Sequence, residues 1–195
     1  MKDHGFKPNP VTLTAVLASC SHSGLIDEGW KIFHSMQSDY GFEPYTEHYA
    51  CMVDLLSRLG HLEEALGLAQ SKKLAATASI WGALLAGCVM HKNVEIGEIA
   101  AHHLFELEPR NSSNYIALCC IYESCSVRDG ILTTRAKMRE LNLVKSPGCS
   151  WVIIAGIIHK FFQGDHSHLS AKVVSETLDG MIKIPMVPDD FECKL

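Results

Sequence analysis

One six-residue slot recurs four times in this chain, and its spacing limits the fold more than any other feature. Gly24-Leu25-Ile26-Asp27-Glu28-Gly29 aligns with Gly60-His61-Leu62-Glu63-Glu64-Ala65, then with Lys92-Asn93-Val94-Glu95-Ile96-Gly97 and Ser126-Val127-Arg128-Asp129-Gly130-Ile131. The steps between slots are 36, 32 and 34 residues. Pro8, Pro44, Pro109 and Pro147 close successive units, with Ala76 where a further proline is expected. Self-similarity at this period marks a helical solenoid, in which a single unit cannot bury its apolar face and must stack on its neighbours. The spacing therefore predicts an all-α, superhelical solenoid of helical hairpins, and with it an extended binding surface.

Within each unit the pattern predicts two antiparallel helices. They run over 11–21 and 27–37, 48–59 and 62–70, 79–90 and 94–107, and 113–124 and 129–141. The acidic pair Asp27-Glu28 opens a second helix, where it compensates the N-terminal dipole. Four residues before each slot stand Cys20, Leu56, Cys88 and Tyr122, a recurring apolar position at the end of a helix. Packing is the role this assigns to the two cysteines. After Gly148 the residues become β-branched and aromatic, and Trp151 to Phe162 around Ala155-Gly156 predicts a small C-terminal β-hairpin. A weaker helix is expected over 168–184, then an acidic, mobile tail over 185–195.

Composition removes several classes. Hydrophobic residues make up 47% of the 195, enough for a core, yet no apolar run reaches the eighteen residues of a membrane span. The eight cysteines lack regular spacing and sit mostly in apolar stretches, as expected of reduced thiols inside a cell and not of a disulfide framework. The net charge of −5 is uneven: 77–109 carries −3 and 110–148 carries +3. An acidic chain does not hold nucleic acid through phosphate neutralisation alone. The basic segment with Arg128, Arg135, Lys137, Arg139 and Lys145 is the candidate for polyanion contact, against the plainer alternative of a solvated helix face. Residues 1–9 look like the tail of a preceding unit without its helices, so the chain is expected to be the C-terminal part of a longer protein.

In this register the residues resemble a pentatricopeptide repeat (PPR) protein of the plant PLS class. Pro10 to Leu17 with Cys20-Ser21-His22-Ser23-Gly24-Leu25 is similar to that family's long repeat, and His48 to Leu56 to its short repeat. Ile80-Trp81-Gly82-Ala83-Leu84-Leu85-Ala86-Gly87-Cys88 and Leu107-Glu108-Pro109 with Asn111-Ser112 resemble the E domain. Pro147-Gly148-Cys149-Ser150-Trp151, with Gly164-Asp165 and Ser167-His168, resembles the E+ segment. The resemblance implies a long repeat over 10–45, a short repeat over 46–77, an E domain of two PPR/TPR-like hairpins over 78–148, and E+ over 149–184. Ala76-Thr77 in place of Pro-Asp, and Val127-Arg128-Asp129-Gly130 in the last slot, depart from the family pattern.

The resemblance further implies binding of single-stranded organellar RNA, in a mitochondrion or chloroplast, for C-to-U editing without cofactor or membrane. Its partners would be a DYW-type deaminase acting in trans and organellar editing factor proteins. By the family's scheme the fifth and last residues of a repeat read one base, which here are Thr14 with Tyr45 and Ala50 with Thr77. Asn9 closes the preceding unit in the same position. A zinc deaminase needs His-x-Glu and Pro-Cys-x-x-Cys, and the sequence contains no Cys-x-x-Cys; His61-Leu62-Glu63 matches by spelling and falls in a repeat slot. The rival class is a TPR-like protein-interaction scaffold that binds no RNA.

Other constellations have plainer explanations. Cys88 with His91, and His48 with Cys51, stand at i, i+3 and could each offer two metal ligands, which do not make a site. Asp165-His166-Ser167-His168 is too close in sequence to form a triad, whose groups converge from different elements. The apolar hairpin residues suit packing or a protein partner better than base stacking, because only Lys160 is basic nearby.

Overall fold

The computed structural model describes residues 7–71, 77–145, 148–162 and 165–182. Outside them lie most of the preceding unit's tail, the Ala76 departure, Pro147, Gly164 and the acidic tail. Two compact units divide the chain, Met1–Lys145 and Ser146–Leu195.

The first unit is a solenoid of four helical hairpins: α1 (Pro10–Ser23) with α2 (Ile26–Ser38), α3 (Thr46–Arg58) with α4 (Leu62–Ala69), α5 (Ala78–His91) with α6 (Val94–Leu107), and α7 (Ser112–Ser124) with α8 (Arg128–Glu140). The first helices stack on one another, α1 on α3, α3 on α5 and α5 on α7, while α2, α4 and α6 each reach the first helix of the next hairpin. Predicted and observed ends of these eight helices differ by at most two residues, and α6 matches at both ends. Asn9 Oδ1 accepts the Thr12 N–H at 2.8 Å and Pro10 fills the first turn, so α1 starts at the proline.

Each slot is a helix-ending turn. Gly24, Gly60, Lys92 and Ser126 all adopt left-handed backbone, with φ of 68°, 85°, 55° and 60°. The N–H of the next residue then reaches back to the recurring position identified in the sequence. Leu25 donates to Cys20 O at 3.0 Å, His61 to Leu56 O at 2.9 Å, Asn93 to Cys88 O at 3.1 Å, and Val127 to Tyr122 O at 2.9 Å. These bonds close a Schellman-type cap four times over. The four acceptor residues are themselves buried, so one position satisfies a turn with its backbone and fills the core with its side chain.

The units are keyed to one another at the same turns. Leu59, just before the second slot, meets Gly24, and His91, just before the third, lies over Gly60. His91 Nε2 also bonds Arg58 O at 2.9 Å, and Cys125, before the fourth slot, donates its thiol to Lys92 O at 3.3 Å. One buried cluster, containing Leu56, Leu84, Cys88, Leu104 and Ile121, runs from α3 to α7, and a second, with Leu17, Met36 and Met52, joins α1 and α2 to α3. Burial pushes the Cys88 thiol up to about 11, and a thiol that stays protonated is a packing group, not a nucleophile.

The second unit contains a hairpin of β1 (Cys149–Ile154) and β2 (Ile157–Phe162), followed by α9 (Ala171–Ile182). The strands are antiparallel, pairing Cys149 with Phe162 and Ile154 with Ile157. Ala155 and Gly156 both have positive φ, 49° and 79°, the two-residue geometry that suits strand twist. All six residues of β1 are exposed. His159 Nδ1 lies 2.9 Å from His168 Nε2, which ties β2 to the segment before α9. Asp165 accepts from the Ser167 N–H and hydroxyl, which hold its carboxyl below the usual range; the Asp-His-Ser-His run is a local turn.

Four substitutions test the turns and the core. Trp81 is 3% exposed, stacks on His103 at 3.9 Å and belongs to the main cluster, so Trp81→Ala should destabilise the solenoid by about 3–5 kcal/mol. Trp151 is 68% exposed, and Trp151→Ala should leave the helical thermal transition in place while altering the hairpin. Gly60→Ala should also lower the melt, since a Cβ there would stand 3.1 Å from the His91 ring at a φ of +85°. Lys92→Gly should raise it by about 0.5–1 kcal/mol, because it relieves left-handed backbone at a side chain that is exposed.

Candidate nucleic-acid interface

Three of the residues named from the repeat scheme converge. Asn9, Thr14 and Tyr45 line one groove of about 700 Å³ along α1 and the start of α3, together with Val11, Glu47 and His48. Thr14 and Tyr45 are far apart in sequence, and only the stacking of one first helix on the next brings them together. Their polar atoms are not equally available. Asn9 Oδ1 is occupied by the Thr12 N–H and by the Thr12 hydroxyl at 2.9 Å, so only its amide NH₂ can address a ligand. The Thr14 hydroxyl donates to Pro10 O at 3.1 Å, which leaves its oxygen lone pairs facing out as acceptors.

Tyr45 is 51% exposed at the N-cap of α3, with ring centroids 6.0 Å from Phe42 and 5.7 Å from His48. His48 holds this end of the groove together. Its Nδ1 accepts the Tyr45 N–H at 2.9 Å, so the proton is on Nε2, which donates to Pro10 O at 3.0 Å. Pro10 O therefore accepts from both Thr14 and His48. At 1% exposure with both ring nitrogens bonded, His48 positions the groove and has no free nitrogen for a metal. Sequence reasoning raised it only as a possible ligand beside Cys51. The available signal was its place three residues after the cap, where a side chain reaches back to the cap N–H. His91 is likewise bonded to Arg58 O and Cys88 is fully buried.

The second pair sits one unit on, Ala50 within α3 and Thr77 at the N-cap of α5. Ala50 is half-buried against the main cluster and offers only a methyl. The Thr77 hydroxyl lies 3.1 Å from Ser79 Oγ. This pair has less polar reading capacity than the first.

The basic residues of α8 do not all lie on one face of the helix. Successive pairs Arg135/Lys137 and Lys137/Arg139 are about 200° apart around a helix, while Arg135 and Arg139 are about 40° apart. Accordingly Arg135 borders a groove of about 320 Å³ with Cys119 and Glu123, whereas Lys137 borders a different one with Tyr115 and Tyr122. Arg135 is also paired with Glu123 at 2.7 Å, and Lys137 with Glu140 at 3.4 Å, all of them exposed.

The second of these grooves, about 580 Å³, lies between α6 and α8 over a floor from α7. Tyr115 OH donates to Pro109 O at 3.0 Å, and Tyr122 OH to Glu98 at 2.7 Å. Burial first, and then Glu98, push the Tyr122 phenol up to about 12. His61-Leu62-Glu63 opens α4, with Leu62 buried and His61 and Glu63 exposed, the arrangement of a helix start.

Comparison with known proteins agrees with this architecture. The PPR repeat profile matches residues 11–40 and 47–70, and the E motif profile matches residues 91–153. A pentatricopeptide repeat-containing protein of Arabidopsis thaliana is 44% identical over 178 residues, covering 91% of this chain and 27% of its own length. Another from that plant, named as mitochondrial, is 43% identical across 93% of this chain and 28% of its own. A third, named as chloroplastic, is 45% identical across 97% of this chain and 22% of its own. The chain thus spans about a quarter of the length of these curated relatives. With two matched repeats stacked ahead of a matched E motif, the chain belongs to the pentatricopeptide repeat family.

Proposed function

We propose that this protein is an RNA-binding specificity factor for organellar RNA processing, and that the process is site-specific C-to-U editing. The observation that carries the RNA half is the joint groove of Asn9, Thr14 and Tyr45 across two stacked repeats. A solenoid presents equivalent side chains at regular spacing, which allows one base to be addressed per unit. Tyr45 supplies a half-exposed ring for stacking, and Thr14 supplies an acceptor oxygen beside it. Family membership and the organellar names of two relatives support the same reading.

The editing half concerns the E motif and the segment after it. Deamination needs a zinc-activated water to attack C4 of cytosine, and these residues hold no Cys-x-x-Cys to bind that zinc. In this reading the catalyst is a DYW-type deaminase acting in trans, recruited with editing factor proteins by the E module (78–148) and the E+ segment (149–184). In this assignment residues 10–45 are the long repeat and 46–77 the short one, and the site of action is a mitochondrion or chloroplast.

Fluorescence anisotropy with single-stranded RNA oligonucleotides, over a salt series, tests the proposal. Binding by this chain alone should be weak, because two repeats carry reading positions and the net charge of −5 opposes a polyanion. Tyr45→Ala should lose about 1–3 kcal/mol of it as lost stacking, and Thr14→Ala should change which base is preferred. Arg135→Ala with Arg139→Ala, on one face of α8, should flatten the salt dependence more than Lys137→Ala does. Tight binding indifferent to Thr14 and Tyr45, or conversion of cytidine by the pure chain, would overturn the assignment.

A further inference from the structure

The groove between α6 and α8 shares only Lys137 with the residues weighed for RNA contact, and it is a formed site. Its volume of about 580 Å³ falls inside the range of roughly 300–1,000 Å³ typical of ligand clefts. Tyr115, Leu118 and Tyr122 make the floor, and Phe105 stands on the α6 side, its ring 3.9 Å from that of Tyr115 at an interplanar angle of 10°. Both tyrosine hydroxyls already donate to protein acceptors, so the floor is apolar and largely covered, and the half-buried Phe105 is the more open ring of the lining. The α8 wall is built from small residues, Gly130, Thr133 and Thr134. Among the described residues the backbones of α6 and α8 stay apart, although both pack on α7.

The rim carries one charge of each sign. Glu106, exposed on α6, has no ion-pair partner among the described residues, and Lys137 on α8 is held only by the exposed Glu140 at 3.4 Å. The geometry points to a docking groove for one amphipathic α-helix of a partner protein. Its leucine-type seam would lie on the aromatic floor, with a cationic side chain toward Glu106 and a carboxylate toward Lys137. The lining runs from Gly130 to Leu141 along α8, about 17 Å, and from His102 to Pro109 on the α6 side, about 10 Å, which matches about three turns of a partner helix. A nucleic acid strand fits less well, since Glu98 and Glu106 stand beside the floor and would repel phosphates. The inference rests on the recruitment half of the proposed function and not on its RNA half.

Three labelled synthetic helical peptides, each of about three turns, test it by fluorescence anisotropy with the whole chain. They share a leucine seam and differ in the flanks: lysine on one side and glutamate on the other, lysine on both, or glutamate on both. The mixed-flank peptide should bind best, because each of the others places one like charge against the rim. Thr133→Arg fills the groove from an exposed position and should weaken that peptide roughly tenfold. Glu106→Lys, also exposed, should move the preference to the peptide with glutamate on both flanks. Absence of binding by any peptide would overturn the inference, as would a flank order that Glu106→Lys leaves unchanged. It fails equally if Thr133→Arg weakens a single-stranded RNA oligonucleotide and spares the peptide. Neither substitution lies in the Thr14–Tyr45 groove, so RNA binding there stands or falls separately.

Discussion

Four carbonyls hold this solenoid in register. Those of Cys20, Leu56, Cys88 and Tyr122 each accept the N–H that emerges from a left-handed turn. A carbonyl at a helix end has lost its helical donor, and burying it unpaired would cost about 1–3 kcal/mol. The turn removes that cost and at the same time sets the direction in which the second helix leaves. Because the same four residues are buried, turn geometry and core packing cannot vary independently. Each unit then presents its turn to the next, where Leu59, His91 and Cys125 contact it. The stacking of units is thus a consequence of how one helix ends.

The candidate RNA groove inherits its geometry from that stacking. Thr14 and Tyr45 belong to different hairpins, and the contact of α1 with α3 decides whether they face one ligand. His48 converts this contact into a fixed arrangement by bonding the Tyr45 N–H on one side and Pro10 O on the other. The groove depends on a buried side chain, and the two donors on Pro10 O hold Thr14 and His48 to a common reference point. A buried polar group bonded at both ends specifies one arrangement, because any shift leaves a donor or acceptor unpaired.

Much of this was legible in the residues, and the illegible part has a physical reason. The period of the slots gave the hairpins, since glycine or a tolerant residue must stand wherever φ is positive. The apolar position before each slot was visible as composition, while its second role as a carbonyl acceptor was not, because every residue carries that group. The hairpin was legible from β-branched residues around Ala155-Gly156. The grouping of Arg135, Lys137 and Arg139 followed sequence proximity, and helical periodicity separates them onto two faces. His48 was visible only as a ring with two nitrogens, and what each nitrogen bonds depends on contacts between units that no local pattern encodes.

The solenoid changes character along its length, and the change explains where its surfaces lie. Toward the first hairpin the left-handed positions are glycine, and the second helix buries Phe33 and Met36. Toward the last hairpin they are Lys92 and Ser126, and on α8 Thr134 alone among the described residues is buried. A second helix with so little buried apolar area gains little from closing on its neighbour, and the groove between α6 and α8 opens beside it. The first helices continue their stack through this region, α5 on α7, without interruption. With the stack of first helices unbroken, the two candidate grooves lie at different hairpins, one beside α1 and α3 and the other beside α6, α7 and α8.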